Sequence, residues 1–375
     1  MAGVYVSYPF CTQKCTYCNF ASGVFPAALR ERYLVALADE IRAHAWEWTP
    51  ETVYLGGGTP SALAAEELAG FLQLIPGRPW LEATVEAAPG TITAEKAESW
   101  AEAGINRVSL GVQSFIEKEI RRTGRKHTAA MVEAEMRLLS HAGIRSCNLD
   151  LIAGLSGQTE ASWRESLDWI ERLQPAHVSV YMFEVDEDSR LGKEMMRGGV
   201  RYGAGDTPSD DQTATFYETA VERLAAMGIA RYEISNFAWP GFESRHNLKY
   251  WKLEPYAGFG ADAHSFDGRV RRQNPESVEE YLKRFRRDCR EPEKNQLAGE
   301  SACSTKTPAL ADERFFVGLR LMAGIHPSAE EWLRFDRPIR RFVDAGLLET
   351  EDGALRLTKR GVLLSNEVFQ EFLIT

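Results

Sequence analysis

The stretch YVSYPFCTQKCTYCNF, residues 5–20, decides the fold, because it places three cysteines directly after an apolar, strand-like run. Cys11, Cys15 and Cys18 have the spacing C-x3-C-x2-C, whereas the other cysteines stand singly at 147, 289 and 303. A tetrahedral zinc site usually has a second cysteine or histidine pair, and none follows here. Clustered thiolates also hold iron–sulfur clusters, and a four-iron cluster with three protein ligands keeps one iron open. We interpret the loop as a [4Fe-4S] loop; a zinc site completed by a distant residue and simply buried thiols are the alternatives.

The composition is that of a soluble globular protein. A length of 375 residues predicts a large domain with a smaller one. The net charge of -10 argues against a nucleic-acid partner held by phosphate contacts. No apolar run approaches the roughly 18 residues of a membrane span, so we expect at most peripheral membrane contact through partners. The absence of a signal peptide and the cysteine usage predict a reducing cytoplasm.

Strand-like and helical segments alternate through the first 185 residues. Strands are predicted at 3–8, 52–55, 81–87, 106–111, 145–152 and 177–182. Amphipathic helices are predicted between them, at 34–45, 64–75, 94–103, 129–141 and 161–172. This alternation predicts an α/β fold with a parallel sheet. Six such units are too few for a closed eight-stranded barrel and predict an open, partial (β/α)6 barrel.

Polar side chains stand at the C-terminal ends of these strands. Glu86, Gln113 and Asp150 end otherwise apolar strands, and glycines 56–58 follow another. Active sites of parallel βα architectures are built at this edge. Because glycine has no side chain, this run would let a ligand approach the backbone closely. An aspartate there can also cap the next helix, and a glycine run can also serve a turn. We predict one pocket at this edge, with Cys147 on the opposite, helix-facing side of its strand.

Beyond residue 185 the pattern changes. Residues 186–208 are polar and glycine-rich and predict a mobile connection. The stretch SRHNLKYWKLEPYAGFGADAHSF, residues 244–266, then gathers histidine and aromatic side chains. Two interpretations are open. His246 and Trp251 form a porphyrin-binding surface, or the aromatic side chains close one end of the barrel around a hydrogen-bonded histidine.

The last part of the chain predicts a small winged-helix-like α+β domain. Helices from residue 309 onward precede a hairpin that turns at Asp352-Gly353, and a last helix follows. The hairpin is acidic, which favours an interaction or lid role over nucleic-acid recognition. We therefore divide the chain into a barrel (1–185), a barrel extension (186–300) and a C-terminal domain (301–375).

The succession of motifs resembles the radical S-adenosylmethionine (SAM) superfamily and, within it, the oxygen-independent coproporphyrinogen III oxidase family. Besides the cysteine loop, the matching motifs are LGGGTPS, EAAPGTIT, GINRVSLGVQSF, NLDLIAGLSGQT, YEISNFAWPG, HNLKYW and YAGFGADAHS, which together span nearly the whole chain. The resemblance implies a [4Fe-4S] cluster on Cys11, Cys15 and Cys18, whose open iron binds SAM. It also implies SAM contacts from Tyr5, Tyr17, Gly57, Gly58, Thr59, Glu86, Gln113, Arg125 and Asp150.

Two features favour the heme chaperone branch of that family over the enzyme. The enzyme carries a further cysteine directly after the third and an N-terminal extension, whereas here Asn19 follows Cys18 and the chain begins ten residues before Cys11. The H-N-x-x-Y-W sequence associated with heme in the chaperone branch is present. It implies heme contacts from His246, Asn247, Tyr250 and Trp251. Three positions depart from the family pattern, namely Ser7 for His, Ala88 for Asn and Ser156 for Pro.

The expected function is therefore that of a heme chaperone that contains SAM and an iron–sulfur cluster and transfers heme to a hemoprotein. An electron donor such as a flavodoxin or ferredoxin is an expected partner. No catalytic residue is assigned, and whether SAM is cleaved stays open. The alternatives are oxidative decarboxylation of coproporphyrinogen III and radical modification of a nucleic acid. The acidic net charge argues against the nucleic-acid alternative.

Overall fold

The computed structural model describes residues 2–288 and 310–373. Its first half consists of β1 (Ala2–Tyr8), α1 (Ala27–Ala43), β2 (Pro50–Gly57), α2 (Ala65–Leu74), β3 (Glu82–Ala87), α3 (Ala94–Glu102), β4 (Arg107–Gln113), α4 (Glu117–Arg122), α5 (Ala129–His141), β5 (Ser146–Ala153), α6 (Glu160–Leu173) and β6 (His177–Met182). All six predicted strands are confirmed. The short helix α4 was not predicted, because six residues are too few to show a helical period.

Strands β1 to β6 pair side by side in chain order, and all of them run parallel. Every second side chain points outward and packs beneath the helices; Val53, Val85 and Leu149 of this outward set are fully buried. Burying each such side chain stabilises the fold by about 1.5–3 kcal/mol. Cys147 is buried in the same core, which confirms its predicted side of β5.

The middle of the chain extends this sheet at both edges. Its elements are α7 (Arg190–Met196), α8 (Asp210–Ala226), β7 (Ala230–Arg231), β8 (Asn236–Ala238), α9 (Arg245–Trp251), β9 (Tyr256–Phe259), β10 (His264–Phe266), β11 (Arg271–Gln273) and α10 (Val278–Asp288). β9 adds to β1 in parallel, with β10 and β11 antiparallel beyond it, while β8 and β7 are antiparallel beyond β6. The described sheet is therefore open, with β11 and β7 at its edges.

The prediction of a mobile connection without secondary structure at 186–208 was wrong. This segment contains α7 and a 3-10 turn at Arg201–Asp206. Ser189 caps α7 by accepting a hydrogen bond from the backbone N–H of Gly192 at 2.9 Å. A seven-residue helix followed by glycines shows no sequence period, so the capping residue was its one local signal.

The C-terminal part consists of α11 (Leu310–Gly318), α12 (Ala329–Arg334), α13 (Asp336–Asp344), β12 (Leu348–Glu351), β13 (Ala354–Leu357), α14 (Lys359–Leu363) and α15 (Ser365–Gln370). The predicted hairpin is confirmed, and Asp352 and Gly353 both have positive φ, as its two-residue turn requires. The rings of Phe315, Phe335 and Phe372 form the core of this C-terminal part. The boundary predicted at 300–301, like Cys289 and Cys303, lies outside the described residues. No described helix is long and apolar enough to cross a lipid bilayer.

A buried ion pair joins this part to the barrel. The Glu233 side chain is fully buried, and its Oε2 accepts a hydrogen bond from Nη2 of Arg320 at 3.2 Å. The guanidinium of Arg320 also lies over the ring of Trp251, 4.5 Å from its centroid. Backbone hydrogen bonds from Ile234 to Arg320 and from Met322 to residue 232 run alongside.

Replacing Arg320 by Met leaves the buried Glu233 carboxylate without its cation, so we expect a loss of about 3 kcal/mol in the free energy of unfolding. Urea denaturation measures it as a lower midpoint. Arg337 is exposed in the same part of the chain, and Arg337→Met is the matched control, expected within about 0.5 kcal/mol of the wild type. Equal midpoints for Arg320→Met and the wild type would contradict this account of the ion pair.

Candidate functional site

The cysteine loop follows β1 and is held from three sides. Its cysteines, Cys11, Cys15 and Cys18, are free thiols of intermediate burial. The backbone N–H of Cys11 donates to the carbonyl of Gly23 at 2.8 Å, and that of Thr16 to Thr123 at 3.1 Å. The N–H of Leu191 in α7 donates to the carbonyl of Thr16 at 2.8 Å. The missed helix α7 therefore supports the loop.

The loop fits a cluster better than a single ion. Cys15 and Cys18 line a cavity of about 520 Å³ between the loop and residues 186–190. Within residues 2–288 and 310–373, no three histidine, cysteine, aspartate or glutamate side chains converge on one metal ion. A four-iron cluster takes each thiolate on a different iron, so its ligands need no common point. Burial raises the pKa of Cys18, and the neighbouring Cys15 adds to this; bound iron supplies the positive charge that thiolates there require.

Arg125 brings a permanent positive charge to the loop. Its Nε donates to Sγ of Cys15 at 3.1 Å, and its Nη1 donates to the carbonyl of Gly111. Burial by itself would lower the pKa of Arg125, but the neighbouring Tyr17 and Cys15 raise it above its ordinary value. This fixed positive charge lies beside Sγ of Cys15 and would offset the negative charge that a metal-bound thiolate brings to the loop.

The glycine run seats the cysteine loop. A Cβ on Gly58 would lie 2.8 Å from the carbonyl oxygen of Phe10, so only glycine fits there. The N–H of Gly58 donates to the carbonyl of Tyr8 at 2.8 Å, and the N–H of Thr59 to that of Phe10 at 3.0 Å. The close approach that the sequence suggested is thus made by the protein's own backbone. SAM contacts from Gly57, Gly58 and Thr59 stay a prediction.

Glu86 presents a half-buried carboxylate beside this run. The Tyr54 hydroxyl donates to Oε1 at 2.9 Å, and the N–H of Gly57 donates to Oε2 at 3.1 Å. Burial raises the pKa of Glu86 to about 7, and the charge of Asp150 adds to the rise. A cationic ligand offsets this penalty, because an opposite charge nearby favours the ionised carboxylate. The ammonium and sulfonium groups of SAM are such cations.

Asp150 lies in the same interior. Its carboxylate accepts hydrogen bonds from Asn148 Nδ2 at 2.7 Å and from Ser109 Oγ at 3.2 Å. Burial raises its pKa. The following helix, α6, is capped by Thr159, so the helix-capping alternative for Asp150 does not describe this structure. Asn148 also hydrogen-bonds with Nδ1 of His177 at 2.6 Å, which carries the network across to β6.

The remaining predicted SAM contacts border this interior. Gln113 ends β4 with a φ of 68°, next to a register shift in the β4–β5 pairing. A non-glycine residue in that region costs about 1–3 kcal/mol, and such strain is typical of binding edges. Tyr5 stacks on Tyr54 with ring centroids 6.1 Å apart. Tyr17 packs edge-on against Phe183 at 6.2 Å.

The H-N-x-x-Y-W residues lie at the opposite end of the barrel. Glu82 begins β3, and its carboxylate accepts the backbone N–H groups of Arg245 at 2.8 Å and His246 at 2.9 Å, which caps α9. The fully buried His246 hydrogen-bonds with Thr52 Oγ1 through Nδ1 at 2.9 Å and with the Tyr250 hydroxyl through Nε2 at 2.8 Å. Of the two interpretations from the sequence, this arrangement is the aromatic closure around a hydrogen-bonded histidine.

Neither nitrogen of His246 is free in this conformation. Burial lowers the pKa of His246 to about 3, and Lys249 adds to this, so the ring is neutral near pH 7. Asn247 is half-buried in the first turn of α9. Trp251 packs beneath Arg320. Heme contacts from these residues therefore stay a prediction, and ligation of iron by His246 requires α9 to move.

Sequence reasoning missed the residues that support the site, namely Thr52, Tyr54, Glu82, Ser109 and Ser179. Each stands at an inward position of β2 to β6, two residues from another polar side chain. This period-two polar pattern was the available signal.

The three departures from the family pattern are accommodated within the protein. Ser7 is buried, and its carbonyl accepts the Tyr33 hydroxyl at 2.8 Å. The N–H of Ala88 donates to Ser61 Oγ at 3.1 Å. The Ser156 hydroxyl donates to the carbonyl of Gly203 at 2.5 Å, a bond that proline could not make.

Glu86→Gln should stabilise the SAM-free protein at alkaline pH only. Because the folded pKa is raised from 4.5 to about 7, this group's contribution to stability is present below pH 4.5 and lost as the pH rises through 7. We expect Glu86→Gln to gain up to about 3 kcal/mol at pH 8 and nothing at pH 4.5. Thermal unfolding at both pH values measures this, with the exposed Glu98→Gln as control. The same gain at both pH values would contradict the assignment.

Comparison with known proteins agrees with this geometry. The model of the radical SAM superfamily matches residues 5–170. Heme chaperone HemW of Bacillus subtilis (strain 168) is 34% identical, and the alignment covers 100% of this chain and 99% of that protein. Heme chaperone HemW of Escherichia coli (strain K12) is 35% identical over 72% of each chain.

A solved structure is similar over almost the whole chain. Coproporphyrinogen III oxidase (HemN) from Escherichia coli, a radical SAM enzyme, superposes with a TM-score of 0.82 at 20% identity, covering 99% of this chain and 90% of that one. At this identity the likeness concerns the fold, and it confirms the predicted fold class. The chain belongs to the radical SAM superfamily and, within it, to the family of the HemW heme chaperones.

Proposed function

We propose that this chain binds heme and transfers it to a hemoprotein, and that it carries a [4Fe-4S] cluster and SAM. The observation that carries the proposal is the 34% identity with the Bacillus subtilis heme chaperone over the full length of both chains. The loop of three half-buried thiols beside a basic side chain supports the cluster. The half-buried carboxylates of Glu86 and Asp150, whose pKa values are raised, support a cationic ligand at the strand ends.

In this proposal the protein's own residues bind the cluster, orient the Glu86 carboxylate and shield the barrel interior from water. Cys11, Cys15 and Cys18 would hold the cluster, and Arg125 fixes a positive charge beside Cys15. Tyr54 and Gly57 orient Glu86 toward the ligand. The helix α9 closes the other end of the barrel and excludes water. When bound, the cluster and SAM supply one-electron chemistry, which belongs to the cofactors and not to the chain.

The proposed partners follow from this chemistry. Heme and a hemoprotein acceptor are the cargo and its destination, and a flavodoxin or ferredoxin is the proposed electron donor. We place the protein in the cytoplasm, since a reducing compartment keeps cluster thiols available. Contact with a membrane, where it occurs, would be peripheral and through partners.

Replacing Cys11, Cys15 and Cys18 by Ala should abolish the brown chromophore of the anaerobically purified protein, because the cluster loses all its protein ligands. Iron and sulfide content and the visible spectrum measure this. Cys147→Ala is the matched control, since Cys147 is buried beneath the helices, and it should keep both. Unchanged iron and sulfide in the triple variant would overturn the cluster assignment.

Heme titration separates the chaperone from the enzyme. We expect the wild type to bind one heme with a shifted Soret band, and to form no protoporphyrinogen from coproporphyrinogen III when reduced in the presence of SAM. Ligation by His246 requires α9 to leave the barrel, so uptake by that route should be slower than the roughly 10⁵–10⁷ M⁻¹s⁻¹ typical of unhindered association. His246→Phe should then lose the shift, whereas Tyr217→Phe should keep it. Protoporphyrinogen formation without heme binding would favour the enzyme.

A further inference from the structure

The geometry points to His246 as a positioning residue for the SAM site, acting through Tyr54. This inference rests on the proposed SAM contact of Glu86, but not on heme binding. It gives the histidine of the H-N-x-x-Y-W sequence a task at the cofactor end of the barrel, although its helix lies at the other end.

Tyr54 spans the two ends. Its hydroxyl donates to Glu86 at 2.9 Å. Its ring stacks on the imidazole of His246, with centroids 5.2 Å apart and planes inclined by 27°, and also on Tyr5. A ring held by two stacked partners keeps one rotamer, so the position of its hydroxyl is fixed by the partners beneath it.

His246 is itself fixed by three anchors. Its ring nitrogens hydrogen-bond with Thr52, two residues before Tyr54 in the same strand, and with Tyr250. Its backbone N–H is held by the buried carboxylate of Glu82. These contacts set the height and tilt of the imidazole against Tyr54. The ring stays neutral in the working pH range, so its effect on Tyr54 is one of position and not of charge.

The hydrogen bond from Tyr54 affects the protonation of Glu86. It stabilises the ionised carboxylate and opposes the rise of the Glu86 pKa through burial. The titratable groups that act on or face Glu86 from the surrounding elements are Tyr5, Tyr54, Asp150, Tyr181 and Tyr250. Weakening the hydrogen bond from Tyr54 therefore raises the pKa of Glu86. A cationic ligand then loses the ionised carboxylate at a higher pH.

A purely structural role of His246 would give a different result. Substitution of His246 would then lower stability and leave the pH dependence of SAM binding unchanged. A positioning role moves the affinity and the pH midpoint together, and it disappears once the Tyr54 hydroxyl is gone.

The test is a double-mutant cycle on the cluster-loaded protein. SAM dissociation constants are measured by anaerobic equilibrium dialysis from pH 6 to 9 for the wild type, Tyr54→Phe, His246→Phe and the double variant. Iron and sulfide content verifies equal loading. We expect Tyr54→Phe to weaken SAM binding about tenfold, as for loss of a hydrogen bond to a charged group. His246→Phe should weaken it in the same direction with the same upward shift of the midpoint, and the double variant should equal Tyr54→Phe.

Tyr217→Phe is the matched control, because Tyr217 is also buried and donates its hydroxyl to a backbone carbonyl, that of Ile234. It should leave both the affinity and the midpoint unchanged. Wild-type affinity and midpoint in His246→Phe, or additive effects of the two substitutions, would overturn the inference. Glu86→Gln is measured in parallel. If it leaves the affinity unchanged, the proposed SAM contact fails; if it weakens binding while His246→Phe does not, only this inference fails.

A second measurement needs no variant, so it also tests the inference if a variant fails to fold. Hydrogen exchange of the wild type is followed with and without SAM, and the readout is the set of α9 amides. Because coupling between two sites is reciprocal, SAM binding should slow exchange in α9. The amides of α15, in the C-terminal part, are the internal reference. Slowing no greater in α9 than in α15 would contradict the coupling.

Discussion

The buried polar interior of the barrel is the constraint on which the rest of the structure depends. Several side chains that point inward from β2 to β6 are buried, among them Thr52, Glu82, Ser109, Asn148 and Ser179, and an unpaired buried polar group costs about 1–3 kcal/mol. Asn148 satisfies this requirement because its Nδ2 donates to Ser109 and Asp150 while its Oδ1 accepts from Ser179 and contacts Nδ1 of His177. One amide thus fixes three strands in register. The same network holds the Asp150 carboxylate at the C-terminal edge of the sheet.

The sequence predicted the strands well because each of them shows its own period of two or its own apolar run. The C-terminal edge could be placed for the same reason, since Glu86 and Asp150 end their strands. The partners of these residues could not be predicted. That Tyr5 lies opposite Tyr54 depends on the register of β1 with β2, and register follows from packing across the sheet.

Glycines and histidines were harder to interpret, because both serve packing as well as binding. The glycine run predicted that a ligand approaches the backbone closely, and at Gly58 the structure shows the backbone of Phe10 in close approach. His246 marked an aromatic cluster correctly, but its position is set by Glu82, which is far away in the chain. A sequence motif shows which residue type stands at a position. The neighbouring residue that makes this type necessary is seen only in the folded structure.

The same imidazole cannot serve both ends of the barrel at once. Where it clamps Tyr54, its nitrogens are taken by Thr52 and Tyr250 and its ring is fully buried. Where it ligates heme iron, one nitrogen must leave its partner and the ring must leave Tyr54. Linkage then makes the two ligands antagonists, because the factor by which bound heme weakens SAM binding at Glu86 is also the factor by which bound SAM weakens heme binding. A chaperone built in this way would hold SAM when empty and loosen it when loaded.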